Sequence, residues 1–491
     1  MDFFSGDLHG LDNECVIVPV FEGEAADDPW SEATAGELRR ARASGEFRGK
    51  LYEVFFAPIA DRRYRATRLA VAGLGAAADL TVDRARRGAT AAVLAARERK
   101  ISRIAFVVDG RLEAPDFVQA IVEGMTLAEF DPGTYKTLND RPSGIDVLTL
   151  VTPSTSGALA KAAARGRILG DCTNIARRLT NEPSNRLTPS VFAESAVSIS
   201  RESGLAVEVL DEPELEKLGM GMLLAVGQGS HERPKLVVMR HEPAGAPPAP
   251  VLGLVGKGIT FDTGGISIKA ADGMERMKDD MAGGAAVISA MRAISLLSAP
   301  ISVVGVIPIA ENMPGGGAFR PGDVLRSASG KTVEVLNTDS EGRLILGDAL
   351  WYAQKAGATH LVDIATLTYA ITVALGEFTS GLFGTPPAWV EHVRGIAERA
   401  GDRCWPMPLY DEYRGLLDSD IADMVNTAGR YGGAITAALF LKEFTGGLPW
   451  AHLDIAGTSA AEESRPYMPK GATGTGVRTL AELAFTSFPE P

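Results

Sequence analysis

Three short segments hold most of the residues that could do chemistry in this 491-residue chain. Residues 337–344, NTDSEGRL, place two carboxylates, Asp339 and Glu341, two positions apart, with Arg343 close behind. In an extended segment residues i and i+2 face the same side, so this pair can reach one centre together. A helix cap with solvated acids accounts for one carboxylate but not for both plus the arginine. Residues 255–269, VGKGITFDTGGISIK, set Lys257, Asp262 and Lys269 in a small, apolar, glycine-rich stretch. This is not a GxxxxGK[ST] phosphate loop, because Gly258 follows Lys257 and Val251 stands where the first glycine belongs. A turn with solvated charges is the plain alternative. Residues 277–287, MKDDMAGGAAV, put Asp279 and Asp280 just ahead of an expected helix of small residues. Carboxylates at such a place serve well as N-caps. The Ala and Gly pairs beside them permit close packing near whatever the carboxylates face.

Other routes to metal or nucleophilic chemistry are few. The six histidines are scattered, and no HExxH occurs. Cys15, Cys172 and Cys404 lie far apart with no CxxC, which argues against a disulfide framework or a cysteine zinc site and suits a reducing compartment. A bound metal must therefore rest mainly on carboxylates. Forty-nine basic against 62 acidic residues give a net charge of -13. A chain this acidic is a poor general binder of nucleic acid or anionic membrane. The opening MDFFSGDLHG lacks the basic and apolar regions of a secretory signal. The longest mostly apolar stretch, residues 281–299, contains Arg292 and reads as a buried helix. The expectation is a cytoplasmic protein without a membrane span.

Positioning these segments is the work of alternating strands and helices. Over the first ~150 residues, apolar β-branched runs begin at Cys15, Leu69, Ile104 and Val147, with amphipathic helices expected at 82–100 and 115–130. A polar break at 152–157 is followed by a helical stretch at about 158–179, then by a turn-rich segment. Beyond it the alternation resumes on a larger scale. Strands are expected near 205–210, 235–239, 250–255, 301–307, 333–336 and 360–364, and helices at 281–297, 344–355 and 434–444. Such alternation implies an α/β fold. Ligands of open α/β sheets bind beyond the carboxyl ends of the strands, where NTDSEGRL is expected to lie.

With these motifs together, the sequence resembles the leucyl aminopeptidase family, the hexameric two-metal cytosol aminopeptidases. NTDSEGRL matches that family's signature octapeptide at every position but Ser340, where alanine is usual. The other two segments match its lysine and metal motifs. So do residues 181–189 (NEPSNRLTP), 363–368 (DIATLT), 433–441 (GAITAALFL) and 452–458 (HLDIAGT). The resemblance runs from about residue 171 to 483 and rests on architecture over the first ~150.

The resemblance implies a smaller N-terminal macro-like α/β domain at residues 1–155, a connecting helix at 156–180 and a catalytic α/β domain with a mixed central sheet at 181–491. It makes Lys257, Asp262, Asp280, Asp339 and Glu341 the ligands of two divalent ions, zinc or manganese, with Asp262 and Glu341 bridging. Lys269 and Arg343 become the catalytic basic residues, with bicarbonate at Arg343, and Met277 and Thr366 line the pocket for the substrate's first side chain. Four carboxylates balance two divalent ions formally. A lysine ligand must be neutral, so an adjacent cation has to depress its pKa. The implied activity is removal of N-terminal residues from peptides and aminoacyl amides by a homohexamer. Two other classes remain open. A two-metal phosphatase would use a similar carboxylate cluster. A DNA-binding role of the N-terminal domain would draw on Arg39–Arg42 and Arg62–Arg68, although a solvated surface explains those charges as well.

Overall fold

The computed structural model describes residues 1–24, 29–108, 110–137, 142, 144–153 and 156–489. The chain divides into two compact units. One comprises Met1–Asn174 with Glu462–Lys470, the other Ile175–Ala461 with Gly471–Pro491. The division falls inside the 25-residue helix Gly157–Asn181.

The smaller unit is built on a six-stranded sheet in the order Asp2–Phe4, Val147–Val151, Arg103–Val107, Cys15–Val20, Arg68–Gly73, Val54–Pro58. All neighbours are parallel except the last pair. Every residue of Cys15–Val20 is buried, as a continuous apolar run in a sheet covered on both faces should be. Alternate residues serve opposite faces. Cys15 and Ile17 join the core formed with helices Val82–Glu98 and Pro115–Leu127, while Val16, Val18 and Val20 pack with Trp30, Leu38 and Phe47.

The larger unit carries a nine-stranded mixed sheet. Its centre is four parallel strands, Trp450–Asp454, His360–Ala365, Val251–Gly256 and Ser302–Asn312. Lys235–His241 runs antiparallel beside Ser302–Asn312, and the short strand Gly258–Asp262 runs parallel to its far end. The register places the carboxyl ends of three central strands together, Ala365 facing Asp454 and Ile364 facing Gly256, while the fourth runs on to Asn312, which faces Asp262. Helix Ala282–Leu296 covers one face and helix Glu341–Lys355 packs against the same sheet. The glycines at 283 and 284 let the first of these helices start against the strand ends. A Cβ at Gly283 would lie 2.1 Å from the Ile364 carbonyl oxygen. The Gly284 N–H donates to the Lys257 carbonyl at 2.7 Å, which satisfies a free helix-terminal donor and fixes Lys257 at once.

Three local expectations are corrected. The strand expected at 333–336 is Thr332–Glu334, and it belongs to a separate three-stranded sheet with Val324–Arg326 and Met424–Val425. The helix expected from Leu344 starts at Glu341, so Asp339 and Glu341 do not share an extended segment. The strand expected to end at Ile307 continues to Asn312. The apolar stretch at 281–299 is the helix Ala282–Leu296, buried along nearly its whole length. Among the described residues no helix is long and apolar enough to cross a membrane.

Candidate active site

Lys257 leaves strand Val251–Gly256 and is buried. Its Nζ lies 2.8 Å from Asp280 Oδ1 and 2.8 Å from Glu341 Oε1, and donates to the Thr366 carbonyl at 2.9 Å. It passes over the first turn of helix Glu341–Lys355. A Cβ at Gly342 would meet Lys257 Cε and Nζ at 2.7 Å, so the glycine inside NTDSEGRL makes room for the lysine. Asp262, at the end of strand Gly258–Asp262, pairs through Oδ2 with Lys269 Nζ at 2.7 Å. Lys269 also pairs with Asp339.

The four acids thus arrive from four different places: a strand end, a short 3-10 helix terminus, a turn and a helix start. Asp280 is no N-cap. The helix after it begins behind Met281 with no side-chain cap, and the Asp280 carboxylate turns instead to Lys257 and to the Thr366 hydroxyl, which donates to Oδ1 at 2.7 Å. Asp339 sits in a turn closed by its own N–H donating to Asn337 Oδ1 at 2.8 Å.

Among the described residues Asp262, Asp280 and Glu341 form a cluster whose ligand atoms all lie within 4.8 Å of one another. Among the described residues Asp280 Oδ2 and Glu341 Oε2, both buried there, have no hydrogen-bond partner. Burial, then the neighbouring charges of Glu341 and Asp262, push the Asp280 carboxyl well above its ordinary range against the pull of Lys257. The same causes push Asp339 up to about 7 against Lys269. Burial alone would lower both lysines. The acids outweigh it, Asp280, Glu341 and Asp262 around Lys257 and Asp262, Glu341 and Asp339 around Lys269, and hold both ammonium groups above their ordinary value. Like charges this close, with oxygens left over, are suited to a divalent cation with hard oxygen ligands. The donor set therefore fits a metal centre.

Arg343 is buried in the first turn of helix Glu341–Lys355. Its Nη1 donates to the Asn426 carbonyl at 2.8 Å, and among the described residues its Nε has no partner. Burial brings its guanidinium down to about 10, opposed by Glu341 and Asp454. A buried donor without an acceptor suits a small anion. Met277 lies half-buried in the short helix Met274–Asp279 that leads to Asp280. Thr366 flanks the acids, but its hydroxyl is committed to Asp280.

Sequence reasoning passed over the residues behind this cluster. Asn312 holds Asp262, and Asn426 accepts the Leu336 N–H on its Oδ1 at 2.8 Å. Asp454 accepts the Thr368 hydroxyl at 2.7 Å and the Leu367 N–H at 3.1 Å. Asp363 takes Trp450 Nε1 on one oxygen and His452 Nδ1 on the other, both at 2.6 Å, all three fully buried. The available signal was a polar residue at the end of, or inside, an otherwise apolar strand, which a buried strand tolerates only when the group has a partner.

The family model described as cytosol aminopeptidase family, catalytic domain, matches residues 174–481, and that family's N-terminal domain model matches 17–139. A probable cytosol aminopeptidase of Solibacter usitatus is 50% identical over 477 residues, covering 97% of each chain. One from Koribacter versatilis is 44% identical over 96% of this chain and 97% of its own. Among solved structures, the bottromycin maturation enzyme BotP in complex with Mn superposes with a TM-score of 0.85 at 36% identity, covering 96% of this chain and 100% of its own. A mutant of tomato leucine aminopeptidase superposes with a TM-score of 0.89 at 30% identity, covering 99% and 96%. Family models spanning most of the chain, together with the acid and lysine cluster at the strand ends, make the chain a member of the cytosol aminopeptidase family, a metallo-exopeptidase of the leucyl aminopeptidase type.

Proposed function

We propose that this enzyme hydrolyses the first peptide bond of peptides and aminoacyl amides that carry a free N-terminus. Two divalent ions, zinc or manganese, would be held by Lys257, Asp262, Asp280, Asp339 and Glu341, with Asp262 and Glu341 shared between them. The observation that carries this reading is the convergence of Asp262, Asp280 and Glu341, with two of their buried carboxylate oxygens unpartnered among the described residues. When bound, such ions supply Lewis acidity toward the scissile carbonyl and lower the pKa of a water.

The chain's own groups supply the rest. Lys269, steadied between Asp262 and Asp339, keeps an N–H donor for the oxygen that gains charge as the carbonyl is attacked. Arg343 offers its unpartnered Nε to a small anion such as bicarbonate, a general base whose contribution would be ~10²–10⁴-fold. Lys257 must give up its proton before it can donate to a metal; its ammonium otherwise binds the same carboxylates. Met277 and Thr366 are assigned to the pocket for the first side chain. The excess of acids recognises the substrate's amino group, directly or through the ions.

Assembly as a homohexamer in the cytoplasm belongs to the same reading. Large apolar side chains of the larger unit, such as Tyr369, Val373 and Tyr431, stand exposed, as surfaces that meet other copies do. Nucleic acid is left out as a partner on the net charge of -13; within the basic run at 62–68, Arg63 is paired with Asp61 at 2.6 Å.

The test compares leucine amide with N-acetyl-leucine amide, with manganese or zinc added. Turnover of the first and none of the second is expected, because acetylation ties up the amine lone pair. Equal rates on both would refute the exopeptidase reading.

A further inference from the structure

Asn312 ends strand Ser302–Asn312 and is fully buried. It faces Asp262 across the strand pair. Its Nδ2 donates to Asp262 Oδ1 at 2.8 Å and to the Thr338 carbonyl at 3.0 Å. Both partners are acceptors, which fixes which end of the amide is the nitrogen. Its own carbonyl accepts the Thr263 N–H at 3.0 Å and the Thr263 hydroxyl at 2.8 Å, so the backbone beneath the amide is held as well. Space is tight on the other side. Gly265 has φ +64°, and a Cβ there would lie 2.7 Å from Asn312 Oδ1.

The consequence lies in how Asp262 is presented. Its Oδ1 accepts two hydrogen bonds, from Asn312 Nδ2 and from the Gly264 N–H at 2.9 Å. That leaves Oδ2 as the oxygen facing Lys269 and the other acids. The second Asn312 bond holds the Thr338 carbonyl, one residue before Asp339. One amide group therefore ties together two acids that come from segments about 77 positions apart in the sequence.

We propose that Asn312 is a positioning residue of the metal centre: it sets the rotation of the Asp262 carboxylate and the spacing between Asp262 and Asp339. This rests on the reading of those two acids as metal ligands. Loss of the amide leaves Asp262 Oδ1 with the Gly264 N–H alone and lets the turn at 338–339 drift, so each ion meets a site that must first be ordered. Residues that orient metal ligands in this way typically matter by ~10–100-fold in affinity.

The experiment titrates the chelator-stripped full-length enzyme with manganese and follows unbound Mn²⁺ by electron paramagnetic resonance, a readout independent of turnover. Asn312→Ser shortens the donor. Asn312→Asp keeps the shape and removes both N–H donors, which provides a second variant should the first fail to fold. Asn426→Ser is the comparison: Asn426 Nδ2 donates to the Asn337 carbonyl at 2.6 Å in the same turn, and among the described residues its side chain hydrogen-bonds only backbone groups. Manganese affinity at least about tenfold weaker in each folded Asn312 variant, with Asn426→Ser clearly closer to wild type, is the expected result. A smaller loss, or an equal loss in Asn426→Ser, overturns the positioning role. Wild-type protein that binds no manganese removes the metal reading itself, and the proposal with it; equal binding by wild type and the Asn312 variants removes the proposal alone.

Discussion

Arg86 with Glu123 in the smaller unit, and Lys257 with Asp280 and Glu341 in the larger, are buried contacts between the same kinds of groups, yet they end in opposite states. Around the first, donors and acceptors match. Arg86 Nε meets Glu123 Oε2 at 2.6 Å, Arg86 Nη1 meets Asp83 at 2.9 Å, and Gln119 donates to the other Glu123 oxygen at 2.9 Å. Around the second, four acids face two lysines, and two buried oxygens have no partner among the described residues. A matched buried pair stabilises through the partners it keeps, and removing one is costly. An unmatched cluster is held together by the fold around it and is prepared for a ligand. Burial is common to both, so burial does not mark the site; unsatisfied valence does.

The largest effect that could break this comparison is on turnover. Glu341→Gln should lower kcat/KM for leucine amide by on the order of 10³-fold or more, since it removes charge from an acid assigned to both ions. Circular dichroism should show an intact fold, because Gln keeps the shape. Near-wild-type turnover by the folded variant would refute the assignment of Glu341.

On the matched side the effect should move from activity to stability. Glu123→Gln removes the charge that faces the buried Arg86 Nε, which should cost about 3 kcal/mol or more. The midpoint of denaturant unfolding should fall, while kcat/KM per folded molecule holds. A variant as stable as wild type would show that the smaller unit does not depend on this pair.

A third case sharpens the comparison: a buried acid that, among the described residues, no cation faces. Asp348, fully buried in helix Glu341–Lys355, accepts backbone N–H groups from Met222 at 3.1 Å, Leu223 at 3.0 Å and Ala328 at 2.8 Å. Burial pushes its carboxyl up to about 7 in spite of those bonds. Its unfolded value is near 4. Between about pH 4 and 7 the folded state therefore holds a proton that the unfolded state has released. This group's contribution is greatest at the acid end and is lost as pH rises through that window, by at most ~1.4 kcal/mol per pH unit. Asp348→Asn cannot titrate. Relative to the variant, wild type should lose stability between pH 5 and 7.5 in urea unfolding. A gap independent of pH, or one that widens in favour of wild type, would mean that the three N–H groups outweigh burial.

How much of this was legible in the sequence depends on the range of the interactions. The run Cys15–Val20 announces a buried strand because six consecutive apolar residues need cover on both faces. The small residues after Asp280 announce a helix in close contact, and Gly283 meets the Ile364 carbonyl. The seven charged candidates stand out by their types and by the family motifs, and the structure brings them around one cluster. Local geometry was misread where polar residues make their own turn. Asn337 accepts the Asp339 N–H, which bends a segment that reads as extended. Asn312 was missed for a different reason. Its role depends on a register between strands about 50 positions apart in the chain, and no local spacing records that.

The smallest effect tests the residue in which NTDSEGRL departs from the family octapeptide. Ser340 lies between Asp339 and Glu341, and a hydroxyl there could compete for either acid. The structure gives it a plainer place. Ser340 precedes the first residue of helix Glu341–Lys355 yet makes no side-chain cap bond to it. Its N–H donates to the Asn337 carbonyl at 3.3 Å, a bond that alanine keeps. Ser340→Ala therefore removes a partly exposed hydroxyl and little else. Stability should change by no more than about 0.5 kcal/mol, and manganese affinity and kcat/KM should stay at wild-type values. If manganese affinity moves by tenfold or more, the hydroxyl belongs to the unmatched side of the comparison, as a group that the metal centre uses, and its neighbours Asp339 and Glu341 are held less by the fold than their burial suggests.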